Sequence, residues 1–152
     1  MNGSSRHVVC PSCGAINRVP SDRPAQRAKC GNCHQLLFAG TPVMADTATF
    51  ERHLTSNDIP VLVDFWAPWC GPCRAMAPAY ERAAAELEPD FRLLKVNTEE
   101  QPTVAARYNI RSIPTLMLFD GGRQIAQRAG ASDTRGIVSW ARAQASAQTH
   151  RS

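Results

Sequence analysis

Apolar and polar positions change rhythm several times along the chain, and the changes mark out its elements. Val61-Leu62-Val63-Asp64-Phe65-Trp66, behind Pro60, is a nearly continuous apolar run, as expected of a short strand buried on both faces. Phe91 to Val96 is a second such run and Thr115-Leu116-Met117-Leu118-Phe119 a third. The third meets Asp120-Gly121-Gly122, a strong turn signal, and the chain returns through Ile125 to Arg128 as a hairpin partner. Elsewhere the period lengthens to three or four. Phe50, His53 and Leu54 share one face of a first helix, and Met76, Tyr80, Ala83 and Leu87 one face of the longest, from Cys70 to about Leu87. A short helix from Gln101 to Tyr108 opens on Pro102, and a last helix capped by Ser132 or Asp133 turns Ile137, Trp140 and Ala141 inward. Pro72 sits in a first turn, where its missing N–H costs little, whereas the interior Pro78 is expected to kink its helix. Ala143 to Ser152 is polar and expected to fray. Helices alternating with strands give an α/β class.

The first 40 residues follow neither rhythm. Arg18 to Pro24 is polar and broken by two prolines, so it promises no helix and little core. Cys10-Pro11-Ser12-Cys13 and Cys30-Gly31-Asn32-Cys33 stand sixteen residues apart, a spacing suited to four thiolate ligands around one zinc ion. Gly14 and Gly31 lie where tight turns would aim N–H groups at sulfur. A segment this short and polar folds only if metal binding contributes. The competing reading is four ordinary thiols, reduced or disulfide-bonded. His34 adjoins Cys33 and is a lesser candidate ligand. Ala39-Gly40-Thr41-Pro42 forms a natural boundary, giving a metal-binding module at 1–40 and an α/β domain at 41–152.

Charge sharpens this division. Residues 1–40 carry Arg6, Arg18, Arg23, Arg27 and Lys29 against Asp22, which accounts for the whole net charge of +4. Four thiolates around Zn2+ would reduce the module to about +2, too little to argue for nucleic acid. No apolar run approaches a membrane span and no export signal opens the chain, so a soluble cytoplasmic protein is expected. Six cysteines in three Cys-x-x-Cys pairs then point to metal and redox chemistry in a reducing compartment, and away from a secreted disulfide framework.

The remaining pair lies in Trp69-Cys70-Gly71-Pro72-Cys73, where a strand ends and a helix begins. A helix start offers unpaired N–H groups and positive dipole charge, which favour a thiolate on Cys70. Cys73 is placed to resolve any adduct. Gly71 and Pro72 add no protonatable neighbour, so the thiolate is less stabilised and the disulfide a weaker oxidant. Asp64, alone among apolar strand residues, must raise its pKa or find a partner.

Trp-Cys-Gly-Pro-Cys after a Val-Asp-Phe-Trp strand, with Arg111-Ser112-Ile113-Pro114-Thr115 downstream, resembles the thioredoxin family over residues 43 to about 146. With the four-cysteine front end, the chain resembles the bacterial thioredoxin 2 type. The resemblance implies a thioredoxin fold, a central mixed β-sheet flanked by helices, preceded by a small zinc-ribbon-like module. It implies Cys70 as the more exposed, attacking thiolate and Cys73 as the resolving thiol. Asp64 would transfer the proton for Cys73, with Lys95 as its charge partner. It also implies a cis Ile113-Pro114 bond and a substrate surface made of Trp69, Gly71, Pro72, Ile113, Pro114 and Gly130, with Trp66 as core support. Zn2+ on Cys10, Cys13, Cys30 and Cys33, one ion per chain, would be the only cofactor. Partners would be disulfide-containing proteins and an NADPH-dependent thioredoxin reductase, with no nucleic acid or membrane, and the protein a monomer serving cell redox homeostasis. The alternative is a zinc module that senses redox state or binds proteins, with the α/β domain as scaffold.

Overall fold

The computed structural model describes residues 5–150. At its start, β1 (Ser5–Val9) and β2 (Ile16–Pro20) form a two-stranded antiparallel sheet in which His7 faces Arg18 and Val9 faces Ile16. One 3-10 turn, Ala25–Arg27, follows. The polar appearance of this segment hid both the strand pair and its core. Val8, Val19, Ala25, Leu37 and Phe38 are buried together, and Ile59 from outside the module completes the cluster. The module thus has an apolar core because part of that core is borrowed.

The remaining elements are β3 (Val43–Met44), α1 (Thr47–Ser56), β4 (Val61–Trp66), α2 (Gly71–Leu87), β5 (Arg92–Asn97), α3 (Pro102–Arg107), β6 (Thr115–Asp120), β7 (Arg123–Ala129) and α4 (Thr134–His150). Strand β4 lies mid-sheet in the order β3-β5-β4-β6-β7, parallel to β5 and antiparallel to β6. Its central place explains its apolar run. Val61, Val63 and Phe65 pack with Phe50 and Leu54 of α1 and Val104 of α3, while Leu62 faces Met76, Tyr80 and Leu87 of α2 and Ile137 of α4. Strict alternation puts Asp64 on the Leu62 face, the side of α2.

α2 runs as one helix through the exposed Pro78. Of the tail expected to fray, residues 143–150 belong to α4, in which Ala145 packs on the core and Arg142 donates to the Glu86 carbonyl at 3.3 Å, and residues 151–152 lie outside the described residues. Asp133 caps α4 by accepting from Gly136 N at 2.8 Å. Among the described residues, no helix is long and apolar enough to cross a membrane.

The N-terminal module is fastened to one end of the larger sheet by a buried cation. Arg92, at the start of β5, is 0% exposed. Its Nη2 donates to the carbonyls of Val9 at 3.0 Å and Leu37 at 2.8 Å, and its Nη1 to Glu88 at 3.2 Å. The guanidinium carbon also lies 4.8 Å from the centroid of the Phe38 ring, and Glu88 in turn accepts from Gly40 N at 2.8 Å. Asn57 Oδ1 accepts from Val9 N at 2.8 Å, while Asn57 Nδ2 donates to His53 Nδ1 at 2.7 Å. Burial, with Arg92 and Arg52 nearby, pushes the pKa of His53 down to about 3, which keeps its ring neutral and able to accept. Asn57, Asp58 and Ile59 precede β4, and Arg92 opens β5. The six residues of β4 therefore separate this interface from the Cys70 region by roughly 17–20 Å.

Candidate active site

Cys70 is the N-cap of α2, in extended conformation, and its Sγ accepts from the N–H of Cys73 at 3.2 Å. The two sulfurs are joined in a disulfide with Cα atoms 5.2 Å apart. The family resemblance implies a more exposed Cys70, but the two residues are 4% and 3% exposed. Exposure does not distinguish them. What does is position: Cys70 Sγ receives the helix-start amide, whereas Cys73 lies within the first turn. Ala67, Trp66 and Ile113 pack around the pair, and the Ile113 carbonyl oxygen is 3.7 Å from Cys70 Sγ.

Asp64, on the strand that leads into the pair, is 1% exposed, and neither carboxylate oxygen has a hydrogen-bond partner among the described residues. Burial raises its pKa to about 7, with Lys95 pulling weakly the other way. Lys95 stands opposite Asp64 in the β4–β5 register but makes no ion pair with it; its Nζ lies 4.7 Å from the centroid of the Trp66 ring. The pairing is therefore through the field and not through contact. Tyr80, on α2, donates to the carbonyls of Leu62 at 3.1 Å and Leu94 at 2.8 Å, and its pKa is raised by burial and by Asp64.

Around the disulfide the surface is open. Trp69 is 64% exposed, and Gly71, Pro72 and Gly130 are exposed as well. The Ile113-Pro114 peptide is cis. Gly130 donates to the Pro114 carbonyl at 2.8 Å and holds φ +98°, a left-handed conformation that favours glycine. Glu99, in the loop after β5, accepts from Trp69 Nε1. Arg74, donating to the Pro68 carbonyl at 2.8 Å, braces the same loop. Neither contact had a signal in the sequence, since both depend on how loops meet. Arg92 did have one, a charge in the otherwise apolar run from Phe91 to Val96, which also carries Lys95.

In the N-terminal module the sulfurs of Cys10, Cys13, Cys30 and Cys33 all lie within 4.8 Å of one another. Cys10 to Cys33 and Cys13 to Cys30 are each 3.6 Å, close to the roughly 3.8 Å edge of a tetrahedron with zinc–sulfur bonds of about 2.3 Å. Donors aim at the sulfurs: Ser12 N and Cys13 N at Cys10, and Asn32 N and Asn17 Nδ2 at Cys30, all at 3.3–3.4 Å. This donor set suits thiolates holding a cation. Each pair closes the same turn, with Gly14 N donating to Cys10 O at 3.0 Å and His34 N to Cys30 O at 2.9 Å. The left-handed residue of the second turn is His34, φ 67°, and not Gly31 as sequence reasoning supposed. His34 is exposed and outside the sulfur cluster.

A family model described as thioredoxin matches residues 41–143. The chain belongs to the thioredoxin family. A zinc-ribbon model described as Thioredoxin 2, N-terminal, matches residues 9–35. Thioredoxin C-3 of Corynebacterium nephridii is 41% identical over 133 residues, 88% of this chain and 91% of that protein. Thioredoxin 1 of a Nostoc species is 52% identical over 84 residues, 55% of this chain and 78% of its own length. Among solved structures, a mutant thioredoxin from Halobacterium salinarum NRC-1 superposes with a TM-score of 0.63 at 29% identity, covering 69% of this chain and 91% of that one. The thioredoxin domain thus carries a protein-disulfide oxidoreductase site, and the match to Thioredoxin C-3 is too long to be confined to the 112 residues after residue 40.

Proposed function

We propose that this thioredoxin is a cytoplasmic, monomeric protein-disulfide reductase contributing to cell redox homeostasis. The observation that carries the reading is a disulfide-forming cysteine pair at a helix N-terminus, with a buried carboxylate, unpartnered among the described residues, on the strand that leads into it. In the reduced protein, Cys70 thiolate attacks a substrate disulfide, forming a mixed disulfide and releasing the first substrate thiolate. Asp64 takes the Cys73 thiol proton. The resulting thiolate attacks Cys70 Sγ, breaking the mixed disulfide and expelling the second substrate thiolate; this leaves the Cys70–Cys73 disulfide, and Asp64 gives up its proton to the released thiolate or to solvent. The exposed Trp69, Gly71, Pro72 and Gly130 and the half-buried Ile113, set over the buried Pro114, provide the surface on which an extended substrate lies, with Ile113 backbone groups pairing to it. An NADPH-dependent thioredoxin reductase returns two electrons and two protons. The test is NADPH oxidation with thioredoxin reductase and insulin as substrate. Turnover dependent on this protein is expected; its absence with a reductase that accepts other thioredoxins would refute the reading.

Asp64→Asn provides a sharper check on proton transfer. A carboxylate titrating at about 7 exchanges protons well at neutral pH. The variant is expected to slow insulin reduction by roughly 10²-fold, and the pH–rate profile should lose its inflection near pH 7. Stability should move the opposite way. In the unfolded chain Asp64 ionises near its ordinary 3.8, while in the fold it stays protonated to about 7. Raising the pH between these values therefore favours the unfolded state. Asn carries no such penalty, so at pH 7.5 it should gain a few kcal/mol by urea unfolding, and at pH 3 nearly nothing.

Cys10, Cys13, Cys30 and Cys33 are proposed to hold one Zn2+ per chain, which fixes the two turns and so completes the small core. Metal analysis should give one equivalent. Stripping it is expected to lower Tm by roughly 10 °C yet leave most insulin reduction intact, because the cluster and the disulfide lie at opposite ends of β4. Reduction lost in proportion to metal would instead favour the alternative of a redox-sensing module; both intact thiols of the thioredoxin domain weigh against that domain being a mere scaffold.

A further inference from the structure

Of the five cations in residues 1–40, Arg6 reaches Asp90 at 4.0 Å. Arg18, Arg23, Arg27 and Lys29 make no ion pair or side-chain hydrogen bond among the described residues, and all four line one cleft of about 520 Å³. That volume is in the range of a genuine ligand site. The side chains of all four are exposed. Val19 and Leu37, 4% and 1% exposed, form an apolar floor, and Pro24 adds to it. No carboxylate lines the cleft; Asp22, the sole acid of the segment, stands outside it. No aromatic ring lines it either.

We propose that this cleft is a docking site for an acidic peptide segment bearing apolar side chains, carried by a protein partner. Four unpaired cations around an apolar floor complement a chain that alternates carboxylates with aliphatic groups. Single-stranded nucleic acid fits less well, since its bases need stacking platforms that the lining does not contain. The cleft is built wholly from residues 17–37 of the N-terminal module, and it shares no residue with the substrate surface around Cys70. Docking there tethers a partner and raises its effective concentration at the disulfide without taking part in the exchange. The module then selects partners by charge. Binding of the acidic segment does not depend on the reductase reading above, whereas its use in delivering a partner to the disulfide rests on that reading.

The test uses the full zinc-loaded chain and a dye-labelled peptide of alternating Glu and Leu, followed by fluorescence anisotropy. Binding is expected to weaken steadily as salt rises. The variant carrying Arg23→Gln and Arg27→Gln should bind five- to tenfold more weakly, about what two lost exposed ion pairs give, with zinc content and insulin reduction unchanged. The same peptide with Gln in place of Glu should not bind. The proposal is overturned if the acidic peptide does not bind, if the double variant binds it as tightly as the parent, or if a single-stranded oligonucleotide binds more tightly than the peptide through the same two arginines. In each case the insulin assay still reports separately on the disulfide.

Discussion

Cys70→Ser is expected to bring insulin reduction down to background, a loss of roughly four orders of magnitude or more, as for nucleophiles that work as one unit with their partners. A serine hydroxyl cannot form the disulfide, and no other thiol can take over. Cys73 lies within the helix, and the module cysteines are about one strand length away, at the other end of β4. Cys73→Ser should fail differently. Cys70 still attacks, but nothing resolves the adduct, so a covalent complex with substrate should accumulate and be seen by mass spectrometry under non-reducing conditions. The two variants together test the assignment, since a swap of roles would trap substrate on Cys70→Ser instead. Catalytic turnover surviving Cys70→Ser would remove the mechanism altogether.

The second large effect concerns stability and is placed far from the thiols. Arg92→Met keeps length and apolar bulk but strands the carbonyls of Val9 and Leu37 and the carboxylate of Glu88, all buried. Breaking a buried ion pair from one side costs about 3–5 kcal/mol, and the urea midpoint should fall accordingly. The damage should be concentrated where the module meets the sheet. Protease cleavage in residues 39–42 should accelerate, while Cys70 in whatever protein remains folded should react with insulin at the parent rate. Replacing Glu88 as well, by Gln, should recover part of the loss, because one uncompensated charge disappears. A stability change below about 1 kcal/mol would mean that Arg92 does not strap the module down.

Much of the fold was legible because its signals are local. The span of β4 is given by an apolar run, the start of α2 by Cys70 and Pro72, and the β6–β7 hairpin by Asp120-Gly121-Gly122. The N-terminal module was misjudged because its core is completed by Ile59, far along the chain. Trp69 was read as surface, but its tether to Glu99 lay out of sight, thirty residues on in a solvated-looking loop.

By itself the sequence determined the chemistry: a thiol pair at a strand-to-helix junction, a lone carboxylate in an apolar strand, and two further pairs at metal-ligand spacing. These follow from residues within a few positions of one another, where backbone geometry and helix electrostatics act whatever the rest of the chain does. Tertiary structure alone decided what those groups face. It left Asp64 without a hydrogen-bond partner among the described residues and placed Lys95 over Trp66. It fastened the module through Arg92 at the end of the sheet opposite the disulfide, and gathered Arg18, Arg23, Arg27 and Lys29 around one cleft. Such meetings depend on close packing between segments distant in the chain, and local spacing carries no record of them.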